Sequence, residues 1–526
     1  MTSKYLSLAL TAAAALVSAL PVHAQGGLKQ TAYLKASTPH GNDHFGNGGT
    51  LEGHGLALSG DGLTMAVAAP FESSNAKGIN GNQNDTSLYA SGAVYVFVQK
   101  NGQWAQQAYI KASNPGQSYR FGHHIALSQD GNTLAVASFF EASDAKGING
   151  NQNDHSIPQA GAAYVFTRTG TTWTQQAYIK ASNTGEKSTP DHADEGDQFG
   201  FSLALSADGN TLAAGAISED SKATGINGDQ NDNSQQSSGA VYVFTRSAGT
   251  WTQQAYVKPS NTFAGMLFGY AVGLSADGNT LAASAYDERG SAREINGVQD
   301  RMRPGAGALY VFKRTGTEWA QTDYLKAHNA ENGDSLGYDM AISQDGNTIV
   351  GGAGDEDCFA SGVNPKEPCD NDYKTDTSTG AAYVFVRKDG KWSEQAFIKA
   401  SHPGREDWFA SRLILSGDGN TLAVGAQLEN GNSKGLNGNE KDQSAEDSGA
   451  LYLFTRTGDT WVQKAYMKGS NTSAYDEFGS SMALSRDGKV LAVGARGEGS
   501  AAKGINGNQE DNTAMGAGAV YVFSNQ

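Results

Sequence analysis

Three landmark segments, each present seven times in the same order, predict an all-β fold. The fold is a seven-bladed β-propeller of four-stranded antiparallel blades, its ring closed by the N-terminal strand completing the last blade. The first landmark, of the type Ala108-Tyr109-Ile110-Lys111-Ala112-Ser113, carries its ring at Tyr33, Tyr109, Tyr178, Tyr256, Tyr324, Phe397 and Tyr466. The second, Gly-Ala-Val-Tyr-Val-Phe or a near variant, ends at Phe97, Phe166, Phe244, Phe312, Phe385, Phe454 and Phe523. The third, Leu-Ser-x-Asp-Gly-Asn-Thr-Leu-Ala, places its acid at Asp61, Asp130, Asp208, Asp277, Asp345, Asp418 and Asp487.

Each copy reads as four short strands. Ile125-Ala126-Leu127-Ser128 typifies the first, and an Asp-Gly pair predicts a two-residue hairpin because Gly supplies the positive φ. Thr133 to Ala137 typifies the second, a long polar loop follows, and Ala162 to Phe166 typifies the third. A Gly-containing turn with a Trp (Trp104, Trp173, Trp251, Trp319, Trp392, Trp461) leads to the fourth. Small Ala and Gly in strands one and two suit a crowded axis, and the rings of strands three and four suit a wider rim. No segment sustains helical periodicity. The first β-segment, Gln30 to Ser37, is of the fourth-strand type, and the last landmark, at Phe523, is of the third. Seven complete blades arise only if these two pair, which also removes two open edges.

The N-terminus reads as a signal peptide over residues 1–24. Lys4 precedes an apolar run from Tyr5 to Leu20, and Val22-His23-Ala24 puts small residues where a signal peptidase reads them. Gln25 would begin a single domain, 25–526, secreted or periplasmic, monomeric and without membrane insertion. Composition agrees: 54 acidic against 38 basic residues give a net charge of −16, a poor match for nucleic acid. Two Cys exclude a disulfide-dense scaffold, and a Cys358–Cys369 disulfide is the default for an exported chain.

The motifs at the start of strand one and the end of strand two resemble a known family. Phe-Gly stands at Phe45-Gly46, Phe121-Gly122, Phe199-Gly200, Phe268-Gly269 and Phe478-Gly479, with Leu336-Gly337 and Phe409-Ala410 as variants. Ala68-Ala69-Pro70, Gly215-Ala216, Gly352-Ala353, Gly425-Ala426 and Gly494-Ala495 match the Gly-Ala-Pro element. In phase, these resemble the FG-GAP repeat of the integrin alpha-chain N-terminal propeller and its bacterial relatives. The resemblance implies the fold and little about function. In integrins the calcium loops lie in the hairpin between strands one and two; here that hairpin holds one Asp, too few oxygens for a calcium shell.

Two complete columns of charge repeat with the blades. Lys35, Lys111, Lys180, Lys258, Lys326, Lys399 and Lys468 read as edge residues that block strand-to-strand aggregation, with a basic rim as the alternative. Glu72, Glu141, Glu219, Glu288, Glu356, Glu429 and Glu498 follow strand two and read as available carboxylates. The loop beyond them repeats Gly78-Ile79-Asn80-Gly81-Asn82-Gln83-Asn84-Asp85, slipping by one residue at Asp300 and diverging around Val363-Asn364-Pro365. Two readings of this loop stay open. In one it caps itself, its amides and carboxylate satisfying a turn while the Ile plugs an apolar gap. In the other, Glu72 with Asp85, Glu141 with Asp154, Glu219 with Asp232, Glu429 with Asp442 and Glu498 with Asp511 are calcium ligands. No other cofactor is implied.

Chemistry needs an asymmetric constellation, and the chain varies where strand one begins. One column there is His54, His123, Phe201, Tyr270, Tyr338, Ser411 and Ser480; the next includes His124, Asp339 and Arg412. His54, His123, His124, Tyr270, Tyr338 and Arg412 are the candidate site residues, placed at one mouth of the central channel. They suit a sugar ligand, or proton abstraction beside a carboxylate with Arg neutralising the acid. No Gly-x-Ser-x-Gly, His-Glu-x-x-His or phosphate-loop motif is present. The leading reading is a non-catalytic binding or adhesion module for an extracellular protein or glycan. A polysaccharide lyase and a multivalent lectin are the alternatives.

Overall fold

The computed structural model describes residues 27–48, 53–185, 196–366, 369 and 377–525. The expected signal peptide at 1–24 lies outside the described residues. Seven four-stranded antiparallel sheets form the ring. Blade one runs outward through Leu56–Leu58, Thr64–Ala69, Ala93–Lys100 and Gln103–Ile110. Blade seven takes Phe478–Leu484, Val490–Ala495 and Ala519–Asn525 from the end of the chain and Leu28–Leu34 from its beginning. Tyr33 is registered against Tyr521, their rings edge to face at 5.3 Å, so the first strand closes the last blade.

A second closure lies on the face that carries the hairpins between strands one and two. The Gly60 N–H donates to the Gln129 carbonyl, and the same bond steps through Ala207, Ala276, Gln344, Gly417 and Arg486 back to Gly60, at 2.8–3.1 Å. Each hairpin is wider than the expected two-residue turn. Ser59 and Thr64 close it through a 2.8 Å bond, leaving the four residues Gly60 to Leu63 in the loop. The reason is local. The Asp61 carboxylate accepts from Ser59 Oγ (2.5 Å) and the Leu63 N–H (2.9 Å), while Ser59 Oγ accepts from the Thr64 N–H (2.9 Å). Only Gly62 needs a positive φ, 73°.

The Lys column requires a correction. All seven lysines are buried, 0–1% exposed, and none guards an edge. The outer edge is covered instead by the repeated loop. Ile79 bridges to Ile110, the Lys111 N–H donates to the Gly78 carbonyl, and the Asn80 N–H donates to the Tyr109 carbonyl. Asn80 Oδ1 in turn accepts from the Tyr109 N–H, and Asn149, Asn227, Asn296, Asn364, Asn437 and Asn506 repeat this in the other blades. Even the divergent fifth loop obeys. All seven hold φ between 47° and 57°, a region that Asn tolerates because it is short and polar. Asn227→Ala is therefore expected to lower stability by about 1–3 kcal/mol, from strain plus a lost hydrogen bond. Asn227→Gly should recover the strain component when urea midpoints are compared.

Adjacent blades are stitched by Arg, Gln and Trp. Arg246 Nη1 and Trp251 Nε1 both donate to Gln176 Oε1 of the preceding blade at 3.0 Å, and the guanidinium lies 5.2 Å over the indole. The same triad recurs at Arg168, Arg314 and Arg456.

Candidate functional site at the channel mouth

Strands one begin, and strands two end, on the face opposite the hairpin ring. The long loops leave from this same face. At its centre, His54 Nε2 meets Asp339 Oδ1 at 2.9 Å, joining blade one to blade five across the channel. Asp339 is fixed from behind by the N–H groups of Met340 and Leu413, each at 2.7 Å. The His124 ring lies 4.8 Å from that of His54, and Tyr270 and Tyr338 stand 5.6 Å apart. Below them, apolar side chains of all seven first strands, Leu56, Ile125, Leu205, Val272, Ile342, Leu415 and Leu484 among them, complete a cavity of about 260 Å³. Burial, with His54, His123 and Arg412 adding repulsion, keeps the His124 imidazole well below its ordinary value and hence neutral.

Four of the six candidates, His54, His124, Tyr270 and Tyr338, thus line one cavity. The other two do not join it. His123 packs away from the cavity, its ring 4.0 Å from Phe139 and 5.4 Å from Phe201. Burial pushes its pKa down to about 3 and it packs as a core aromatic. Arg412 is 2% exposed, with Nε on the Ser480 carbonyl (3.1 Å) and Nη1 on the Ser411 carbonyl (2.6 Å). His123 and His124 neighbour each other in the bend before Ile125–Leu127, yet their rings have different partners, Phe139 for one and His54 for the other.

The proposed calcium ligands fall into two sets with separate partners. Glu72, Glu141, Glu219, Glu429 and Glu498 are buried, and each takes a Lys Nζ at 2.6–2.8 Å. Their carboxylates are committed rather than available. Asp85, Asp154, Asp232, Asp442 and Asp511 accept from the N–H two residues on, at 2.7–3.0 Å, within exposed turns. Among the described residues the single convergent group of three is Glu356, Cys358 and Cys369, and its sulfurs form the expected disulfide. An ammonium already fills the place a cation would take, which favours the self-capping reading. Melting with and without chelator is expected to give the same midpoint; a fall on chelation would restore calcium.

Sequence reading underweighted a further set of residues at this mouth. Phe139 and Phe140 follow strand two of blade two, Tyr286 follows strand two of blade four, and Trp408 precedes Phe409 in blade six. Trp408 is the one Trp of seven outside the rim column, and that irregularity was the available signal.

Residues 461–523 match the FG-GAP repeat family model, a span running from the outer strand of blade six through the third strand of blade seven. Solved structures with likeness to the chain include the WD40 repeats of RRP9, at 10% identity and a TM-score of 0.44, covering 94% of this chain and 99% of that one. U3-55K gives 10% and 0.45 with 93% and 99% covered. A mitotic checkpoint complex chain gives 12% and 0.42 with 100% and 99% covered. Likeness this distant says nothing about activity. No curated protein matches. The chain is a seven-bladed β-propeller, and its residues 461–523 are similar to the FG-GAP repeat.

Proposed function

We propose that the protein is an exported binding module whose contact surface is the loop-bearing face around the channel mouth. One observation carries this reading. The hairpin face is a near-regular ring of Ser-x-Asp-Gly turns, whereas the mouth replaces repetition with His54, His124, Phe201, Tyr270, Tyr338 and Asp339. A scaffold keeps repetition where the fold alone needs satisfying; departure from it on one face supports recognition there. Export is supported by the Cys358–Cys369 disulfide and the leader-like Lys4 to Ala24 segment of the sequence. Among the described residues no helix is long and apolar enough to cross a membrane.

The ligand is an extracellular protein or glycan. A lyase reading keeps His54, steadied by Asp339, as a base, but Arg412 is sealed from any substrate carboxylate. The test immobilises the full chain against panels of glycans and extracellular matrix proteins. A ligand held by the wild type and by Leu63→Ser on the hairpin face, and lost in Tyr338→Ala, supports the reading. Equal retention by both variants moves the contact surface elsewhere. Uronic-acid polysaccharides followed at the absorbance of unsaturated ends test the lyase alternative separately.

A further inference from the structure

The mouth carries a continuous crescent of rings, one or more from each of blades two to six. Phe139 lies 5.8 Å from Phe201, Phe201 5.0 Å from Tyr270, Tyr270 5.6 Å from Tyr338 and Tyr338 5.9 Å from Trp408. Tyr286 adds a second ring 4.3 Å from Tyr270. The propeller does not need them. At the position of Phe201, Tyr270 and Tyr338, blades six and seven carry Ser411 and Ser480, both buried in the same backbone setting. The rings also stand apart from the main cores between blades. Phe139, Phe201, Ile217 and Tyr270 form a cluster of their own, with Phe140, Tyr286 and Tyr338 half-buried over it.

Polar groups border the crescent on the axis side, where His54 and Asp339 bridge the channel. Arginines are near, but each is already engaged. Arg120 is sandwiched 4.7 Å from both Phe71 and Phe140; Arg412 holds two carbonyls; Arg496 pairs with Glu477 at 2.5 Å; Arg289 pairs with Asp287 at 3.1 Å. The chain itself bears a net charge of −16. A ligand with carboxylates or sulfates would meet the net negative charge of the chain with these four guanidinium groups already committed.

We propose that this crescent binds a neutral glycan chain, successive sugar rings lying on the half-buried faces of Tyr286, Tyr338 and Trp408 while hydroxyls reach toward His54, which the buried Asp339 holds in place. Aromatic faces offer a large, rigid apolar contact, and a sugar ring presents the matching combination of an apolar C–H face and a hydroxyl edge. The proposal rests on the reading of this face as the contact surface, and it names the ligand class.

The experiment titrates the full chain with cellohexaose, xylohexaose, mannohexaose and chitohexaose, and with a hexauronate of equal length. Calorimetry gives affinity, and the emission difference against Trp408→Phe isolates the one Trp outside the rim column. At least one neutral hexamer is expected to bind, more tightly than the hexauronate. Trp408→Ala and Tyr338→Ala should each weaken it by about tenfold or more, with unchanged urea midpoints, and Tyr338→Phe should retain affinity. No neutral hexamer bound at millimolar concentration, a tighter hexauronate, or affinity indifferent to both Ala variants overturns the proposal. A matrix protein lost on Tyr338→Ala with no glycan bound overturns the glycan while leaving the contact surface standing. A ligand indifferent to every rim variant overturns both.

Discussion

Lys258→Met is expected to cost about 3–5 kcal/mol of stability, a large shift in urea midpoint for one exposed-looking residue in a repeat. In the folded protein Lys258 Nζ donates to Glu219 Oε2 at 2.8 Å and to Ser238 Oγ at 2.7 Å. Glu219 also accepts from Tyr256 OH (2.7 Å) and, at 3.2 Å, from the Ser221 N–H. Both ions are sealed from water, Lys258 at 0% and Glu219 at 1% exposure. Desolvation lowers the Lys258 pKa below its ordinary value, with Glu219 opposing it. Removing the ammonium leaves a carboxylate with no countercharge in a dry site, and that is the origin of the loss. Lys258→Met with Glu219→Leu should recover most of it, since two packed apolar groups need no compensation. A double variant as unstable as the single one would show that the cost lies in packing instead.

The same pair shows where sequence was legible and where it failed. Seven blades, their strand order and the closure by Leu28–Leu34 follow from landmarks whose phase no other fold satisfies. Burial of the Lys column does not. An exposed edge and a buried ion pair both call for Lys beside an apolar strand, and covering of that edge by Ile79 and Asn80 is a tertiary event. One signal was present: six of the seven lysines follow their blade's Glu by 38 to 43 residues, as Lys111 follows Glu72, and Lys35 meets Glu498 through the closure of the ring. Two complete columns of opposite charge at near-constant separation point to a pair. At the mouth, the varying column identified His54, Tyr270 and Tyr338. Arg412 misled because a lone Arg among polar neighbours looks functional, whereas its donors serve the carbonyls of Ser411 and Ser480.

Buried acids are expected to add stability as the pH falls from 8 to 4.5, the reverse of the usual carboxylate behaviour, against the opposing loss from His123 and His124, which stay neutral in the fold and take up protons when unfolded. Beside five of the Glu–Lys pairs lies an additional buried acid, Asp43, Asp197, Asp334, Asp407 or Asp476, two residues before the Phe or Leu of the Phe-Gly element. Burial pushes Asp334, Asp407 and Asp476 up to about 7, Asp43 to about 6 and Asp197, which faces Glu219, Asp220, Lys180 and Lys258, well above its ordinary value. Asp407 also faces Glu429 and Lys468; Asp476 faces Glu498, Lys468 and Lys35; Asp334 faces Glu356, Glu331 and Asp357; Asp43 faces Glu72 and His40. The sign follows from linkage. Unfolded Asp releases its proton near pH 3.9, so between about pH 4 and pH 7 the folded chain holds protons that the unfolded chain has lost. Raising the pH through that window therefore favours unfolding. A tenfold change in proton affinity is worth about 1.4 kcal/mol, so even about 1 kcal/mol from each of the five carboxyls gives about 5 kcal/mol from the acids across the window. Asp407→Asn keeps an oxygen for the Gly404 N–H, now 2.6 Å from the carboxylate, and removes the charge. It should gain about 1 kcal/mol over the wild type at pH 8 and lose that advantage by pH 4.5. The exposed Asp389→Asn changes net charge equally and should do neither. If both variants act alike, the slope comes from the −16 charge of the whole chain relaxing in acid, and the buried acids contribute nothing special.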